Sequence, residues 1–482
     1  MDLYDLRQSV ELALEMVDAE ATVVAAEVCA SWSEYQTVGV RYNADQPTDG
    51  VLEPQVLTTF GVGIAVIVED REGRRVGFGS ENDDLTQEGI ILALEKAKAN
   101  AVVAADVHAF PSLPSTHETP PVFDDPQVMS LSDDELQRLA LEALNGALSG
   151  CHEAGFVQAL QIDGRVRSRK ELLVVGNTHG LLATDTTTGL LATMRSALTT
   201  AQSYGTGSSC ATHLHDFMAF EAGVESARRA LQARGGQALA AGDYAVVFGP
   251  EAVADLWQDL LLPAFSLDTV AAGTSPLANR LGQQVASALL TVRDEGRLPG
   301  CLGSRAITGE GLPTGTTVLL DHGRVAGFLA DTYHAQHLAA QVGAVAPRNG
   351  MRFATNGQSF SMRPGLFPTN VTFTSSEEAP LAPLLEPLSD GIYVGGLWYT
   401  YPQGGLHTGE FTSTVIGPSF RIRHGKLAEP LQPGTLRLRD NVLDLLQRVT
   451  GLATTRQAVP LATMQSLVLA PEMRCSRARF VA

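Results

Sequence analysis

Residues 249–257, GPEAVADLW, follow a strand-like run and have the pattern of a zinc-binding helix that lacks its ligands. In such a helix, histidines on one turn hold the metal and an adjacent glutamate acts as general base on the metal-bound water. Here Pro250 stands at the first histidine position and offers no donor atom. Glu251 is present, and Asp255 could coordinate a cation, but one carboxylate cannot hold zinc. The segment therefore predicts a degenerate site.

The same residues have the features of an ordinary helix start. Pro250 suits the first helical position, and Glu251 favours the positive end of the helix dipole. Apolar residues then recur at helical spacing, namely Val253, Leu256, Trp257, Leu260 and Leu261. We therefore predict a helix that begins at Pro250 and packs through this apolar stripe.

A second metal-like set lies in DTYHAQH, where Asp331, His334 and His337 fall on one face of a predicted helix. Imidazole and carboxylate groups at this spacing could hold a transition metal. Amphipathic surface helices often carry the same residue types, which favours a structural interpretation. A hydrolase with this alternative metal site stays open at this point.

Two glycine-rich segments could let a ligand backbone come close. The first, 303–316, carries Arg305 and Glu310, and the second, 404–426, carries His407, Thr408 and Glu410. Turns and a β-hairpin with polar tips are the simpler interpretation of both. No GxxxxGK[ST] phosphate loop and no GxSxG nucleophile elbow occur in the sequence. Serine and histidine are frequent, so a Ser/His/Asp triad is left open.

The order of predicted elements indicates an α+β protein. Residues 1–107 give a helix, several strands and a helix, and 131–237 repeat the mixture, with Ser132 as a predicted N-cap. A proline-rich connection, 108–130, separates these two domains. Residues 238–482 are rich in glycine and in strand-like runs, which predicts a β-rich C-terminal domain.

The composition argues against nucleic-acid binding and a membrane span, and it favours the cytoplasm. The net charge of −19 argues against a nucleic-acid partner, which normally needs a basic face. The basic run GRVRSRK, 164–170, is interpreted as an exposed strand edge. No run approaches the roughly 18 apolar residues of a membrane span, and no signal peptide is recognisable. Five scattered cysteines without a CxxC pair indicate reduced thiols, so we predict a cytoplasmic protein without a membrane partner.

Several segments, in order along nearly the whole chain, resemble the TldD/PmbA family. GVGIAVIVED (61–70) and RRVGFGSENDDL (74–85) are similar to the first domain of that family. HDFMAFEAGVESARRAL (215–231), followed by the helix at Pro250, resembles the entry to its last domain. TGEFTSTVIGPSFRIRHGK (408–426) is similar to a further stretch of that domain. The family was named historically for modulators of DNA gyrase and is viewed as a cytoplasmic metallopeptidase system.

The resemblance implies which kind of subunit this chain is. TldD-like subunits carry an HExxxH helix and a later cysteine in a CGK-type segment, and these residues hold zinc. In this sequence, PEAVAD (250–255) replaces the helix motif, and Cys475 in EMRCSRA lacks the CGK surroundings. The chain is thus similar to the TldE/PmbA side of the family. That similarity implies no catalytic residue, no metal ligand and no cofactor in this chain, with zinc expected in the partner.

The function implied is a heterodimer with a TldD-like subunit that degrades or processes unfolded or small peptides. Peptide binding would then be assigned to Arg305, Glu310, His407, Thr408 and Glu410. Two alternatives remain beside it. One is a homodimeric binding or scaffold protein without activity, and the other is the stand-alone hydrolase with Asp331, His334 and His337.

Overall fold

The computed structural model describes residues 1–46, 50–71, 73–103, 110–111, 121–156, 158–354, 356–461 and 464–482. Within these ranges, helices and strands are mixed, and strands dominate after residue 241. This arrangement confirms the predicted α+β class with a β-rich C-terminal domain. No helix in the described ranges is both long and apolar enough to cross a bilayer.

The N-terminal half is built on one antiparallel sheet. Its seven strands are β1 (Val23–Asn43), β2 (Gln55–Asp70), β3 (Gly73–Asn82), β4 (Val102–Val103), β5 (Leu160–Asn177), β6 (Leu182–Leu198) and β7 (Ser203–Ala211). They are ordered β4-β3-β2-β1-β5-β6-β7 across the sheet. The pairing of β1 with β5 runs from Glu27 opposite Asn177 to Asn43 opposite Gln161. Strands from the predicted segments 1–107 and 131–237 therefore share one sheet, and their division into two domains stays a prediction.

Helices cover one face of this sheet. They are α1 (Leu3–Asp18), α2 (Gln87–Ala99), α3 (Pro126–Met129), α4 (Asp133–Glu153) and α5 (Ala219–Gln232). Ser132 caps α4, as predicted, and shares a reciprocal capping box with Glu135. Alternate strand residues point away from these helices, so the opposite face of the sheet is free to meet the C-terminal domain.

The central position of β5 corrects one interpretation of the sequence. The run 164–170 is not a strand edge, because β5 lies between β1 and β6 and hydrogen-bonds to both. Exposure of its arginines falls along the strand, from the exposed Arg165 through the half-buried Arg167 to the fully buried Arg169. These three side chains share one face of the sheet.

The proline-rich connection is only partly described. Residues 104–109 and 112–120 lie outside the described ranges. The Pro111 carbonyl accepts a hydrogen bond from the buried Asn177 side chain at 2.7 Å. Asp125 caps the short helix α3 by accepting from the Gln127 amide. The described parts of the connection are thus held against the N-terminal sheet.

Eighteen strands in the described residues form the C-terminal domain: β8 (Gly242–Phe248), β9 (Leu290–Glu295), β10 (Thr316–Asp321), β11 (Arg324–Val325), β12 (Gly350–Met351), β13 (Gly365–Leu366), β14 (Asn370–Ser375), β15 (Glu378–Ala379), β16 (Asp390–Val394), β17 (Gly396–Pro402), β18 (Glu410–Ile416), β19 (Phe420–Arg423), β20 (Lys426–Pro430), β21 (Arg437–Asn441), β22 (Val449–Ala453), β23 (Gln457–Pro460), β24 (Leu467–Ala470) and β25 (Met473–Val481). One sheet has the order β11-β10-β9-β14-β24-β23. A larger sheet follows the path β17-β18-β21-β25-β8-β16-β19-β20, with β22 beside β25 and β15 beside β22.

Short helices complete this domain and fill its core. They are α6 (Pro250–Leu256), α7 (Leu262–Ala264), α8 (Leu267–Ala271), α9 (Thr332–His337), α10 (Ala339–Val342), α11 (Leu381–Leu385) and α12 (Val442–Gln447). A π-helical turn, Trp257–Leu261, joins α6 to α7. Its Trp257 is fully buried, lies 5.2 Å edge-to-face from Phe373 and stacks on Phe265. The predicted helix start at Pro250 and its apolar stripe are confirmed.

The two halves meet over the helix-free face of the N-terminal sheet. The turn Ser359–Ser361 inserts against β1 and β2, and the Phe360 amide donates to Ser31 Oγ of β1 at 3.1 Å. A Cβ atom at Gly63 would lie 1.9 Å from the Phe360 carbonyl oxygen, so the contact requires glycine. This packing leaves a cleft farther along the same face, beside β7.

Candidate functional site

The cleft separates the N-terminal sheet from helix α6 and has a volume of about 870 Å³. The sheet wall is formed by residues of β1, β5, β6 and β7. The opposite wall is formed by α6 and by the ends of β17, β18 and β23. Glu251 and Asp255 both line it, so the degenerate positions of the sequence analysis border a real cavity.

Local sequence explains why α6 presents these two acids. Glu251 and Asp255 are four residues apart and therefore share one side of the helix. The apolar stripe occupies the other side and is buried in the domain core. Pro250 itself is buried at the first helical position. Burial of the stripe thus fixes the rotation of α6 and turns the two carboxylates toward the cleft.

Glu251 is fully engaged by neighbouring side chains. Its Oε1 atom forms an ion pair with Arg229 of α5, and Thr206 Oγ1 of β7 donates to Oε2 at 3.1 Å. Arg229 also binds Glu225 at 2.6 Å and Gln457 at 3.1 Å. Burial by itself lowers the pKa of Arg229, but Glu251 and Glu225 outweigh it and the pKa is raised. We call Thr206, Glu225, Arg229 and Glu251 the cleft cluster.

The contacts of the cleft cluster favour a structural role for Glu251 over general-base catalysis. A general base must be within hydrogen-bond reach of the proton that it removes. Both oxygens of Glu251 already accept from Arg229 and Thr206. The arrangement instead ties α6 to β7 and α5, across the boundary between the two halves of the chain.

Asp255 is the less constrained of the two acids. Its Oδ2 atom accepts a hydrogen bond from the Leu397 amide at 3.0 Å. Burial raises the pKa of Asp255 to about 7, although the Leu397 hydrogen bond acts in the opposite direction. The group can therefore change charge near neutral pH in the cleft.

The donor set at this position does not fit zinc. Pro250 has no side-chain donor atom, and Glu251 is held by a cation and a hydroxyl. Cys475 is buried in β25, where its thiol lies 3.8 Å from the Leu445 carbonyl, and burial raises its pKa. In the described ranges, no three histidine, cysteine or carboxylate side chains are grouped so that they could hold a metal ion.

The structure also contradicts the alternative metal site of Asp331, His334 and His337, because these side chains are not grouped around one point. Asp331 caps α9, accepting from the His334 amide at 2.7 Å and contacting His334 Nδ1 at 2.8 Å. His337 instead stacks on the Tyr333 ring with centroids 5.7 Å apart. Asp331 caps α9 and both histidines lie on it, but the three side chains do not converge on one point. The side chains therefore serve capping and ring packing.

The structure places Arg305 and Glu310 inside the junction between the two halves, away from the cleft. Arg305 is 3% exposed and stacks on Phe353 at 4.8 Å. It neighbours Arg169, Glu171 and Asp185 of the N-terminal sheet, and we call these four residues the junction cluster. Their partners there are protein groups, and peptide binding by Arg305 remains a prediction.

Glu310 is 6% exposed and accepts from the Thr332 amide at 3.1 Å. Burial raises the pKa of Glu310 well above its usual range, and the neighbouring Asp331 and Glu27 add to the effect. Its carboxyl group thus lies in the packed interior, and peptide binding by Glu310 likewise remains a prediction.

His407, Thr408 and Glu410 lie at the opposite end of β18 from the cleft. Thr408 Oγ1 closes the turn by donating to the Gln403 carbonyl at 2.8 Å, while His407 and Glu410 are exposed. Ile416, at the other end of β18, lines the cleft. Glu410 and Ile416 are six residue steps apart along the strand, a span of about 20 Å. The structure does not bring these three residues to the cleft, and their peptide-binding role stays a prediction.

Sequence reasoning missed the residues that define the cleft. Arg229 and Thr206 come from α5 and β7, and nothing local in the sequence connects them to Glu251. Arg41, Arg165 and Arg167 line the sheet wall. The alternation of arginines at 165, 167 and 169 was a usable signal, because period two puts all three on one face of a strand.

Comparisons with known proteins agree with this architecture. The sequence model of the PmbA/TldA metallopeptidase C-terminal domain matches residues 241–481. The crystal structure of TldE from Thermococcus kodakarensis has a TM-score of 0.82, with 19% identity, and covers 98% of this chain and 100% of that one. At this identity, the likeness shows the fold alone.

Curated relatives match over shorter stretches. Metalloprotease slr0863 of Synechocystis sp. is 31% identical over 173 residues, which are 36% of this chain and 34% of the relative. Metalloprotease TldD homolog of Buchnera aphidicola subsp. Acyrthosiphon pisum is 26% identical over 226 residues, 47% of this chain and 44% of the relative. The chain spans less than half the length of these relatives. The domain at 241–481 nevertheless makes up half of the chain, and the protein therefore belongs to the PmbA/TldD family of metallopeptidase-like proteins.

Proposed function

We propose that this chain is the metal-free, TldE-like subunit of a two-subunit zinc metallopeptidase that degrades or processes unfolded or small peptides. The observation that carries the proposal is the state of the degenerate helix. Pro250 has no side-chain donor atom and Glu251 is held by Arg229 and Thr206, so the described residues offer no zinc-binding set beside a cleft large enough for a peptide. Zinc and the activating glutamate would come from a TldD-like partner.

An exposed aromatic patch supports a protein partner. Strand β17 is the edge of the larger C-terminal sheet, and Trp398, Tyr399 and Tyr401 on it are 63%, 70% and 42% exposed. Exposed aromatic clusters are enriched where proteins associate. The patch begins one residue after Leu397, which lines the cleft. A partner seated there would lie beside the cleft.

The thiols support a cytoplasmic location for the complex. All five cysteines are free, and three of them, Cys29, Cys151 and Cys475, are buried. Thiols in this state suit a reducing compartment. Nucleic acid has no role in the proposal, since the chain has a net charge of −19.

Co-expression with an HExxxH-bearing family member from the same genome tests the proposal. We expect the two chains to copurify, and we expect cleavage of an unfolded peptide only when both are present. The matched pair of variants is Glu251→Gln in this chain and Glu→Gln in the partner's motif. The first should keep cleavage within about twofold, because Glu251 is tied to Arg229, and the second should abolish it.

Two results would count against the two-subunit proposal. Cleavage by this chain alone, with stoichiometric metal in elemental analysis, would favour a self-contained hydrolase. Failure to copurify with any HExxxH-bearing chain, together with self-association, would favour the homodimeric binding or scaffold protein.

A further inference from the structure

Three arginines on the sheet wall of the cleft form no ion pair with a carboxylate of the described residues. Arg165 and Arg167 alternate along β5, and Arg41 lies on β1 directly opposite Asp163. Residues opposite each other in paired strands point to the same side, so all three side chains face the cleft. All three line it, and we call them the arginine strip.

Charge neutralisation distinguishes the strip from its neighbours. Arg195, on the same wall, is paired with Asp163 at 3.0 Å, and Arg229 is paired with Glu225 and Glu251. Within the described part of the chain, no carboxylate forms an ion pair with a member of the strip. The Nε atom of the half-buried Arg167 also has no hydrogen-bond partner. Like charges that are partly desolvated and unpaired are stabilised when an anion binds between them.

The spacing of the strip suits an extended chain. Arg165 and Arg167 are two residues apart on one strand, which separates their Cα atoms by about 6.6 Å. Side chains i and i+2 of an extended peptide have the same separation. Arg41 is a diagonal neighbour of Arg165, at about 7–8 Å. A peptide lying along β5 could thus present alternate carboxylates to successive guanidinium groups.

The rest of the molecule argues against a nucleic acid as the anion. The strip is a local exception in a chain of net charge −19, and Asp255 stands on the opposite wall. A long polyanion would extend past the strip and be repelled by the net negative charge of the chain. A short acidic peptide segment needs only the cleft itself.

We propose that the arginine strip binds carboxylates of an extended peptide, and that the cleft therefore selects acidic peptides. The inference rests on the proposed function in that it takes a peptide as the occupant of the cleft. The carboxylates could come from Asp or Glu side chains or from the peptide's C-terminus. The shared chemistry is bidentate pairing of carboxylate with guanidinium.

Binding of short labelled peptides to this chain by itself tests this inference by fluorescence anisotropy. One pair of eight-residue peptides differs in having Glu or Gln at alternate positions, and each is made as the free acid and as the C-terminal amide. We expect the Glu peptide, the free acid, or both to bind about tenfold more tightly than the Gln amide, and the gap to shrink as salt is raised. The larger of the two differences identifies the source of the carboxylate. Equal binding of all four peptides would overturn the inference.

Substitutions in the arginine strip test whether the strip itself binds the acidic peptide. Arg165→Gln/Arg167→Gln should weaken the acidic peptide about tenfold, and Arg165→Lys/Arg167→Lys should retain part of the binding. The control, Arg74→Gln/Arg423→Gln, removes the same charge from side chains 55% and 52% exposed elsewhere and should change binding less than twofold. Equal losses in control and test variants would contradict a local site.

A competition experiment distinguishes an acidic peptide from a nucleic acid as the ligand of the arginine strip. Single-stranded DNA that displaced the acidic peptide at a lower concentration than unlabelled peptide would reassign the strip to nucleic acid and overturn the proposal. All of these measurements use this chain by itself. A failure of the two-subunit peptidase proposal therefore leaves their outcome interpretable.

Discussion

The junction cluster and the cleft cluster are two ionic groups that join the same two halves of the chain. They differ in how deeply they are buried and in how many of their polar atoms have hydrogen-bond partners. Arg169, Glu171, Asp185 and Arg305 are all at most 5% exposed. In the cleft cluster, Arg229 and Glu251 keep side-chain exposures of 11% and 24%. The junction is thus a buried ionic network, and the cleft cluster is a partly solvated one.

The more buried cluster has the less complete hydrogen bonding. In the junction cluster, Arg169 Nε, Asp185 Oδ2 and two nitrogens of Arg305 have no hydrogen-bond partner. Arg305 Nη2 lies 3.5 Å from Glu171 Oε2, within ion-pair range but without hydrogen-bond geometry. In the cleft cluster, both oxygens of Glu251 are bound. Desolvation makes the junction sensitive to any change in its charge balance, whereas water can compensate changes in the cleft.

The largest expected effect is on Glu171. It accepts from Arg169 at 3.0 Å, from Ser359 at 2.6 Å and from Gln465 at 3.3 Å. Glu171→Ala would leave two buried guanidinium groups without their shared anion, which costs about 3–5 kcal/mol of unfolding free energy. Urea denaturation measures this loss. Asp163→Ala, which breaks an exposed pair with Arg195, is the control and should cost less than about 1 kcal/mol.

A smaller effect should appear as a pH dependence of stability. Burial raises the pKa of Asp185 to about 7, although Arg305 lowers it in part. Between about pH 4 and pH 7, the folded chain then holds a proton that the unfolded chain releases, so this contribution to stability is lost as pH rises. Asp185→Asn should remove that part of the slope, about 2 kcal/mol between pH 5 and pH 7.

The quantity that tests this prediction is the difference in unfolding free energy between the wild type and Asp185→Asn at each pH. Burial also raises the pKa of Asp255 to about 7 and that of Asp294 to about 6, so both chains keep some slope of the same sign. Asp216→Asn, at a side chain 54% exposed, provides the surface control. Parallel stability curves for the wild type and Asp185→Asn would contradict the assignment of a titrating group to the junction.

The sequence carried enough local information for the helices and strands nearest the site. The helix at Pro250 was predictable because a proline, an acid and an apolar stripe all favour one interpretation. The cap at Ser132 was predictable because its capping box is complete within four residues. Local features of this kind depend on neighbours in sequence, which a single chain displays.

The cleft could not be predicted in the same way. The partners of Glu251 come from residues 45 and 22 positions away, and the junction cluster joins Arg305 to strands more than 100 residues earlier. Glycine-rich composition suggested that a ligand backbone could come close to Arg305 and Glu310, yet packing in the junction between the two halves buries both. Which face of β5 meets the C-terminal domain depends on that same long-range packing.

The smallest effect is expected at Glu251, and it sharpens the comparison between the clusters. Glu251→Gln removes one carboxylate from Arg229, which keeps Glu225 at 2.6 Å and Gln457 at 3.1 Å. The remaining partners and the partial solvent exposure should limit the loss of unfolding free energy to about 1 kcal/mol. Glu225→Gln is the matched variant, because it leaves Arg229 with Glu251, and a similar small loss is expected in urea denaturation. A loss as large as that of Glu171→Ala would show that the cleft cluster, too, depends on an uncompensated buried charge, and the distinction between the two regions would fail.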